Sequence, residues 1–169
     1  FIFLFLLSVY IEEIKADIIK VPQTTMKIVG STEDKDYEDL VEKILIEASE
    51  ISKLPKVSNY CLKAIDSQGT MIGGLAGYEF YGSFYIDVLW IDPAYRKKGI
   101  GSQLLQQIEK ESRNKGLLFL SVSTMEWWDA KNFYEKNGFE LEFVRKGFAN
   151  GYNQYHLRKN IHVEERDET

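Results

Sequence analysis

The chain is poor in the residues that hold disulfides and metals. It has one cysteine, Cys61, and two histidines among 169 residues. An intrachain disulfide is therefore excluded, and no His/Cys cluster shows metal-ligand spacing. Cys61 itself reads as a small buried hydrophobe in a strand. An excess of positive charge is lacking too: 21 Lys and Arg stand against 26 Asp and Glu, a formal net charge of −5. Nucleic-acid binders usually carry a basic face, so this balance argues against that class. No Gly-Lys-Ser/Thr triplet occurs, which removes the phosphate loop of nucleoside triphosphate hydrolases. The opening apolar run, "FIFLFLLSVY", is about half the ~20 residues that span a bilayer, so no membrane partner is expected. No Lys or Arg precedes that run and no small-residue cleavage site follows it.

Residues 1–25 read as an apolar, then amphipathic appendage, with Ile11, Ile14 and Ile18 interleaved among Glu12, Glu13, Lys15 and Asp17. Packing on the domain or on a second subunit, a leader remnant and a start-site artefact are the alternatives. A single domain is expected over residues 26–161, followed by a polar tail, 162–169. The composition, 44% hydrophobic and 28% charged, is that of an ordinary globular protein.

"MKIVG" from Met26 predicts a short strand. A helix follows, with Ser31 or Thr32 as caps and Tyr37, Leu40, Val41, Ile44, Leu45, Ala48 and Ile51 as its apolar stripe. "NYCLKAID" and "TMIGGLAGYEFYG" form a hairpin about "SQG", and Gly73, Gly74 and Gly77 predict a bulge or a close backbone approach. "SFYIDVLWID" is a strand running into "PAYRKKGIG". The next helix shows Ile100, Leu104, Leu105 and Ile108 on one face and stops at Gly116. "LLFLSVS" suits a central strand. A helix with Trp127, Ala130, Phe133 and Tyr134 on one stripe ends at Asn137-Gly138, and two last strands flank "FANG". The order β-α-β-β-β-α-β-α-β-β is that of an α/β chain with a mixed sheet.

Arg96, Lys97, Lys98, Gly99 and Gly101 stand directly before a helix. Cations at a helix N-terminus are unfavourable by a few tenths of a kcal/mol or more, so three in a row imply a bound anion. A dinucleotide site requires G-x-G-x-x-G, but Leu104 stands where the third glycine belongs. Two readings remain: a pyrophosphate held on backbone N–H groups that the two glycines leave uncovered, or a plain glycine helix start with exposed cations.

The stretch Arg96–Gly101 resembles the R/Q-x-x-G-x-G/A motif of the GNAT superfamily of acyl-CoA-dependent N-acetyltransferases. "AKNFYEKNGFE", about 30 residues on, resembles the family's A-x-x-x-Y-x-x-x-G-F segment. The order of elements over 26–161 is similar too. The resemblance implies a mostly antiparallel sheet of about six or seven strands, helices on both faces, and acetyl-CoA in a cleft where the fourth and fifth strands splay. It places the pyrophosphate on Arg96, Lys97, Lys98, Gly99, Ile100, Gly101 and Ser102, and the pantetheine along Leu89, Trp90 and Ile91. Lys97 and Lys98 serve the phosphates or are simply surface charge.

Acetylating an amine poses two proton problems. An alkyl amine with pKa ~10.4 is neutral in only about one molecule in 2,500 at pH 7, a deficit of roughly 4.6 kcal/mol. The departing thiolate benefits from a proton donor. Tyr134 matches the tyrosine that fills this role in many family members; otherwise it belongs to the helix's core face. Asp87, an acid in a strand that reads as buried, is the first candidate base, with Glu79, Glu126 or a water chain as alternatives. Glu79, Glu126, Trp127 and Trp128 are candidate acceptor contacts, although an aromatic pair is also ordinary core. Where many members carry asparagine, seven residues before the tyrosine, this chain has Trp127. The expected activity is acetyl transfer to a primary amine of a small molecule or peptide in the cytoplasm, with no metal. A CoA-binding module without turnover, and a homodimer or larger oligomer assembled through the apolar N-terminus, are the competing readings.

Overall fold

The computed structural model of the chain describes residues 27–161. The readings of residues 1–25, of Met26 and of the tail lie outside them. The backbone divides into two compact units at Asp39/Leu40. The described part of the first holds an irregular segment and the start of helix α1 (Asp34–Ser52). The predicted "MKIVG" strand does not form, since residues 27–30 lie outside any sheet. Two alternating apolar residues supply a pattern but not the neighbouring strand whose hydrogen bonds would fix it. Helix α1 appears as expected, with Ser31 Oγ accepting from Glu33 N at 3.2 Å, yet none of its residues is buried. Periodicity specifies the apolar stripe; burial needs a partner surface that a local pattern cannot choose.

The second unit is built on six strands: β1 (Ser58–Ile65), β2 (Met71–Phe80), β3 (Ser83–Ile91), β4 (Phe119–Met125), β5 (Glu140–Arg145) and β6 (Gln154–Asn160). Their spatial order is β1-β2-β3-β4-β6-β5, antiparallel throughout except for the β3/β4 pair. Helix α2 (Ile100–Asn114) connects that parallel pair, and α3 (Lys131–Lys136) follows β4. β4 is central, as "LLFLSVS" predicts, with Leu120 and Val122 buried on one face.

Both short helices stop for the same reason. Gly116, at φ +74°, lets Gly116 N reach Arg113 O and Leu117 N reach Ser112 O at 2.9 Å. Gly138, at φ +85°, repeats the pattern, with Phe139 N bonding Tyr134 O at 3.1 Å. These paired bonds satisfy carbonyls that a helix end leaves bare, and only glycine adopts the required left-handed conformation without strain. Leu104, Leu105 and Ile108 of α2 join Leu75, Phe84, Ile86, Leu120, Leu157, Tyr134 and Phe139 in one core. Among the described residues, no helix is long and apolar enough to cross a membrane.

Glu109 fastens the end of the chain to this core. It pairs with Lys159 at 2.5 Å and Arg113 at 2.7 Å, and Lys159 Nζ also donates to Asn137 O at 2.9 Å. Burial opposes ionisation, but the hydrogen bonds from Lys159 and Arg113 outweigh it and hold the carboxyl below the ordinary range. A lowered folded-state pKa stabilises above the unfolded value and loses that contribution as pH falls through the folded one. Glu109→Gln is therefore expected to cost about 1–2 kcal/mol at neutral pH, between exposed and fully buried pairs. The gap should close as pH falls below the ordinary carboxylate range near ~4.3. Urea midpoints across that range check it; a gap constant with pH would refute the ionic account.

Candidate active site

The site begins at a break in the sheet. β3 and β4 pair only from Ser83–Ile86 to Phe119–Val122; beyond that β3 runs on to Ile91 and β4 to Met125 without pairing each other. The cause lies one strand away. Ala76 of β2 pairs with Val88 and Gly77 with Ile86, so Asp87 is an extra, unpaired residue, and such a bulge bends its strand. Gly77 makes the bulge sterically feasible, because a Cβ there would lie 2.0 Å from the Tyr85 carbonyl oxygen. The close approach expected at the β2 glycines is found there. The splayed strands expected as fourth and fifth are β3 and β4, since the first predicted strand is absent.

Past Ile91 the chain turns through Pro93–Tyr95, where Asp92 Oδ1 accepts from Ala94 N at 2.8 Å. Arg96 Nε donates to Ile91 O at 3.0 Å and pins the loop to the strand it leaves. Lys98 Nζ lies 4.8 Å from the centre of the Tyr95 ring. Lys97 and Gly99 both take left-handed φ, +60° and +83°. The first amide after Arg96 to find a backbone acceptor is that of Gln103, which bonds Gly99 O at 3.0 Å. The N–H groups from Lys97 to Ser102 thus stand free of backbone acceptors at a helix N-terminus, which suits a diphosphate. The two glycines differ from the sequence reading. Gly99 supplies the left-handed turn, whereas a Cβ on Gly101 would meet the Phe133 ring at 3.1 Å. The smallness of Gly101 therefore also admits the Phe133 ring of α3.

Tyr134 is 6% exposed and packs edge-on against Phe133 and Phe139 at 5.2 and 5.6 Å. Burial, with Tyr85 adding to it, pushes its phenol up to about 12. Among the described residues the Tyr134 hydroxyl has no hydrogen-bond partner, and it is not among the fully enclosed unpartnered atoms, where Ser112 Oγ stands. At the edge of the break, the hydroxyl of Tyr85, still within the paired stretch, shares a hydrogen bond of 2.7 Å with Oγ of Ser123, the first β4 residue past the last pair. Neither residue was singled out from sequence, because a tyrosine and a serine alternating with buried neighbours carry no motif.

Five other expectations change. Asp87 is exposed, not buried, because the bulge turns it out of the sheet's alternation. Cys61 is exposed too, on the strand face that alternates away from the core. Glu79 is ion-paired to Lys115 at the opposite end of β3 from the break, facing Phe84 in register. Glu126 accepts from Asn153 N at 3.0 Å, Asn153 Nδ2 at 3.1 Å and Tyr155 Oη at 3.1 Å. Both its oxygens brace the end of β4 against the β5–β6 connection. Trp127 is not on α3 but in a short turn, edge-on to Tyr152 at 5.1 Å, and Trp128 is 70% exposed beside it.

A family description, acetyltransferase (GNAT) domain, matches residues 58–141, from β1 through the start of β5. Blasticidin-S acetyltransferase of Streptomyces morookaense is 30% identical over 105 residues, covering 60% of this chain and 75% of its own. The chain belongs to the GNAT acetyltransferase family. Acetyl transfer is accordingly the reaction class of this acetyltransferase. A solved acetyltransferase from Bacillus cereus superposes with a TM-score of 0.66 at 25% identity, over 81% of this chain and 99% of that one. A Bacillus anthracis protein described as a streptothricin acetyltransferase was solved with acetyl coenzyme A. It shares the fold at a TM-score of 0.56 and 19% identity, over 60% of this chain and 62% of its own.

Proposed function

We propose that this acetyltransferase moves the acetyl group of acetyl-CoA to a primary amine by direct attack. The observation that carries the reading is the break between β3 and β4, with the amides of 97–102, free of backbone acceptors among the described residues, in the loop after β3, and Tyr134 on the helix after β4. The amides and the helix dipole would hold the diphosphate, and Leu89, Trp90 and Ile91 offer an unpaired strand edge to the pantetheine. The amine nitrogen bonds to the thioester carbonyl carbon, the carbon–sulfur bond breaks, and Tyr134 gives its proton to the departing sulfur. A phenol with a pKa near 12 is protonated throughout the working range and recovers its proton readily. The amine's surplus proton leaves through Asp87, the carboxylate at the bulge, to water. The Streptomyces relative, named for blasticidin S, supports a small-molecule acceptor.

Calorimetric titration with acetyl-CoA, with ATP and NADH as controls, tests the first half of this reading. Gly99→Trp is expected to abolish binding, because its φ of +83° disfavours any side chain and an indole would fill the cradle. No acetyl-CoA binding by the folded wild type would end the proposal. Binding with no acetylation across a broad amine panel would instead favour a CoA-binding module.

A further inference from the structure

The face of β1–β3 on which Asn59, Cys61, Ala76 and Tyr78 sit holds an open depression of about 350 Å³, with Asp87 on its wall. This volume falls at the lower end of small-molecule sites, ~300–1,000 Å³. Register explains its composition. Asn59 pairs with Tyr78 and Cys61 with Ala76, and paired residues project to the same side of a sheet. Ala76, between larger neighbours, leaves the hollow; the bulge inserts Asp87 beside it. Asp87 accepts no hydrogen bond among the described residues, so its carboxylate is available to a ligand. It also follows Ile86, the last β3 residue paired to β4, so the depression adjoins the break itself. Tyr78 connects the two, its ring 5.3 Å from that of Tyr85, whose hydroxyl bridges to Ser123.

We infer that this depression is the acceptor pocket and that it selects a primary ammonium on a compact body. Asp87 is the ion partner, and Asn59 and Cys61 set the size. This assignment rests on the acetyltransfer reading above and deepens it. It also differs from the sequence expectation, because Glu79, Glu126 and the tryptophan pair lie outside the pocket.

Cys61, the chain's one cysteine, makes the pocket testable on the unmodified protein. Its rate of disulfide formation is measured with 2-aminoethyl methanethiosulfonate, a cation, and 2-sulfonatoethyl methanethiosulfonate, an anion. The cationic reagent is expected to react about ten-fold faster, as one nearby carboxylate requires, and Asp87→Asn should remove most of that preference. The aminoethylated enzyme then carries an ammonium in the pocket. Its KM for whichever of blasticidin S, spermidine or Nα-acetyl-lysine is acetylated fastest should rise about ten-fold, with acetyl-CoA affinity unchanged. Equal reagent preference in wild type and Asp87→Asn overturns the inference, and so does an unchanged KM. The labelling rates need no turnover, so their failure is distinct from a failure of acetyl transfer.

Discussion

Replacing Tyr134 with phenylalanine is expected to leave acetyl-CoA affinity unchanged and to lower kcat about a hundred-fold, the lower range for loss of a positioned general acid. The substitution is unusually clean. The hydroxyl has no hydrogen-bond partner among the described residues, so its removal strands no buried group. The ring stays in contact with Phe133 and Phe139, and folding stability should move by less than about 1 kcal/mol. Because the phenol's pKa is near 12, Tyr134 stays protonated through the neutral range. It therefore cannot produce an alkaline fall in kcat below about pH 10, and any such limb belongs to another group. Steady-state kinetics with one amine, alongside calorimetry, decide the matter. Equal kcat in both proteins across that range would remove Tyr134 from the mechanism.

The largest effect on the fold is expected at Gly77. An alanine there would place its methyl carbon 2.0 Å from the Tyr85 carbonyl oxygen and 2.8 Å from the Phe84 ring. Both obstacles belong to a buried part of β3, and a backbone carbonyl cannot swing aside as a flexible side chain can. We expect a loss of about 3 kcal/mol or more, at the upper end for overpacking and a large share of a domain's usual ~5–15 kcal/mol. Protein that still folds should bind acetyl-CoA more weakly, because relieving the clash means moving the bulge that parts β3 from β4. Gly30→Ala, where nothing lies within 4 Å, is the control. Urea unfolding of the three proteins gives the comparison. If Gly77→Ala unfolded at the wild-type midpoint, the bulge could not have this geometry.

Legibility from sequence followed the range of the interaction that fixes each feature. Helix α2 was readable in full: its apolar stripe, its glycine start and its glycine stop all lie within a few residues of the positions they control. The same holds for the β1–β2 hairpin and for the glycine loop, whose left-handed turn at Gly99 and whose ties, Asp92 to Ala94 and Arg96 to Ile91, lie within a few residues. The motif around Tyr134 named the residue, and its aromatic neighbours, Phe133 and Phe139, are local in sequence as well.

The tertiary structure decided whatever depends on register between strands or on distant side chains. Asp87 looked buried because its neighbours are apolar; the bulge, set by pairing with β2, put it outside. Glu79 and Glu126 looked available until Lys115, Asn153 and Tyr155 occupied them from elsewhere in the chain. Gly101 faces the Phe133 ring of α3, a contact that no local pattern reveals. The sequence alone determined the glycine loop before α2 and the aromatic cluster around Tyr134, since both are local. Strand pairing, which joins residues far apart in the chain and sends alternate side chains to opposite faces, decided where the sheet opens and that Asp87 stands outside the core.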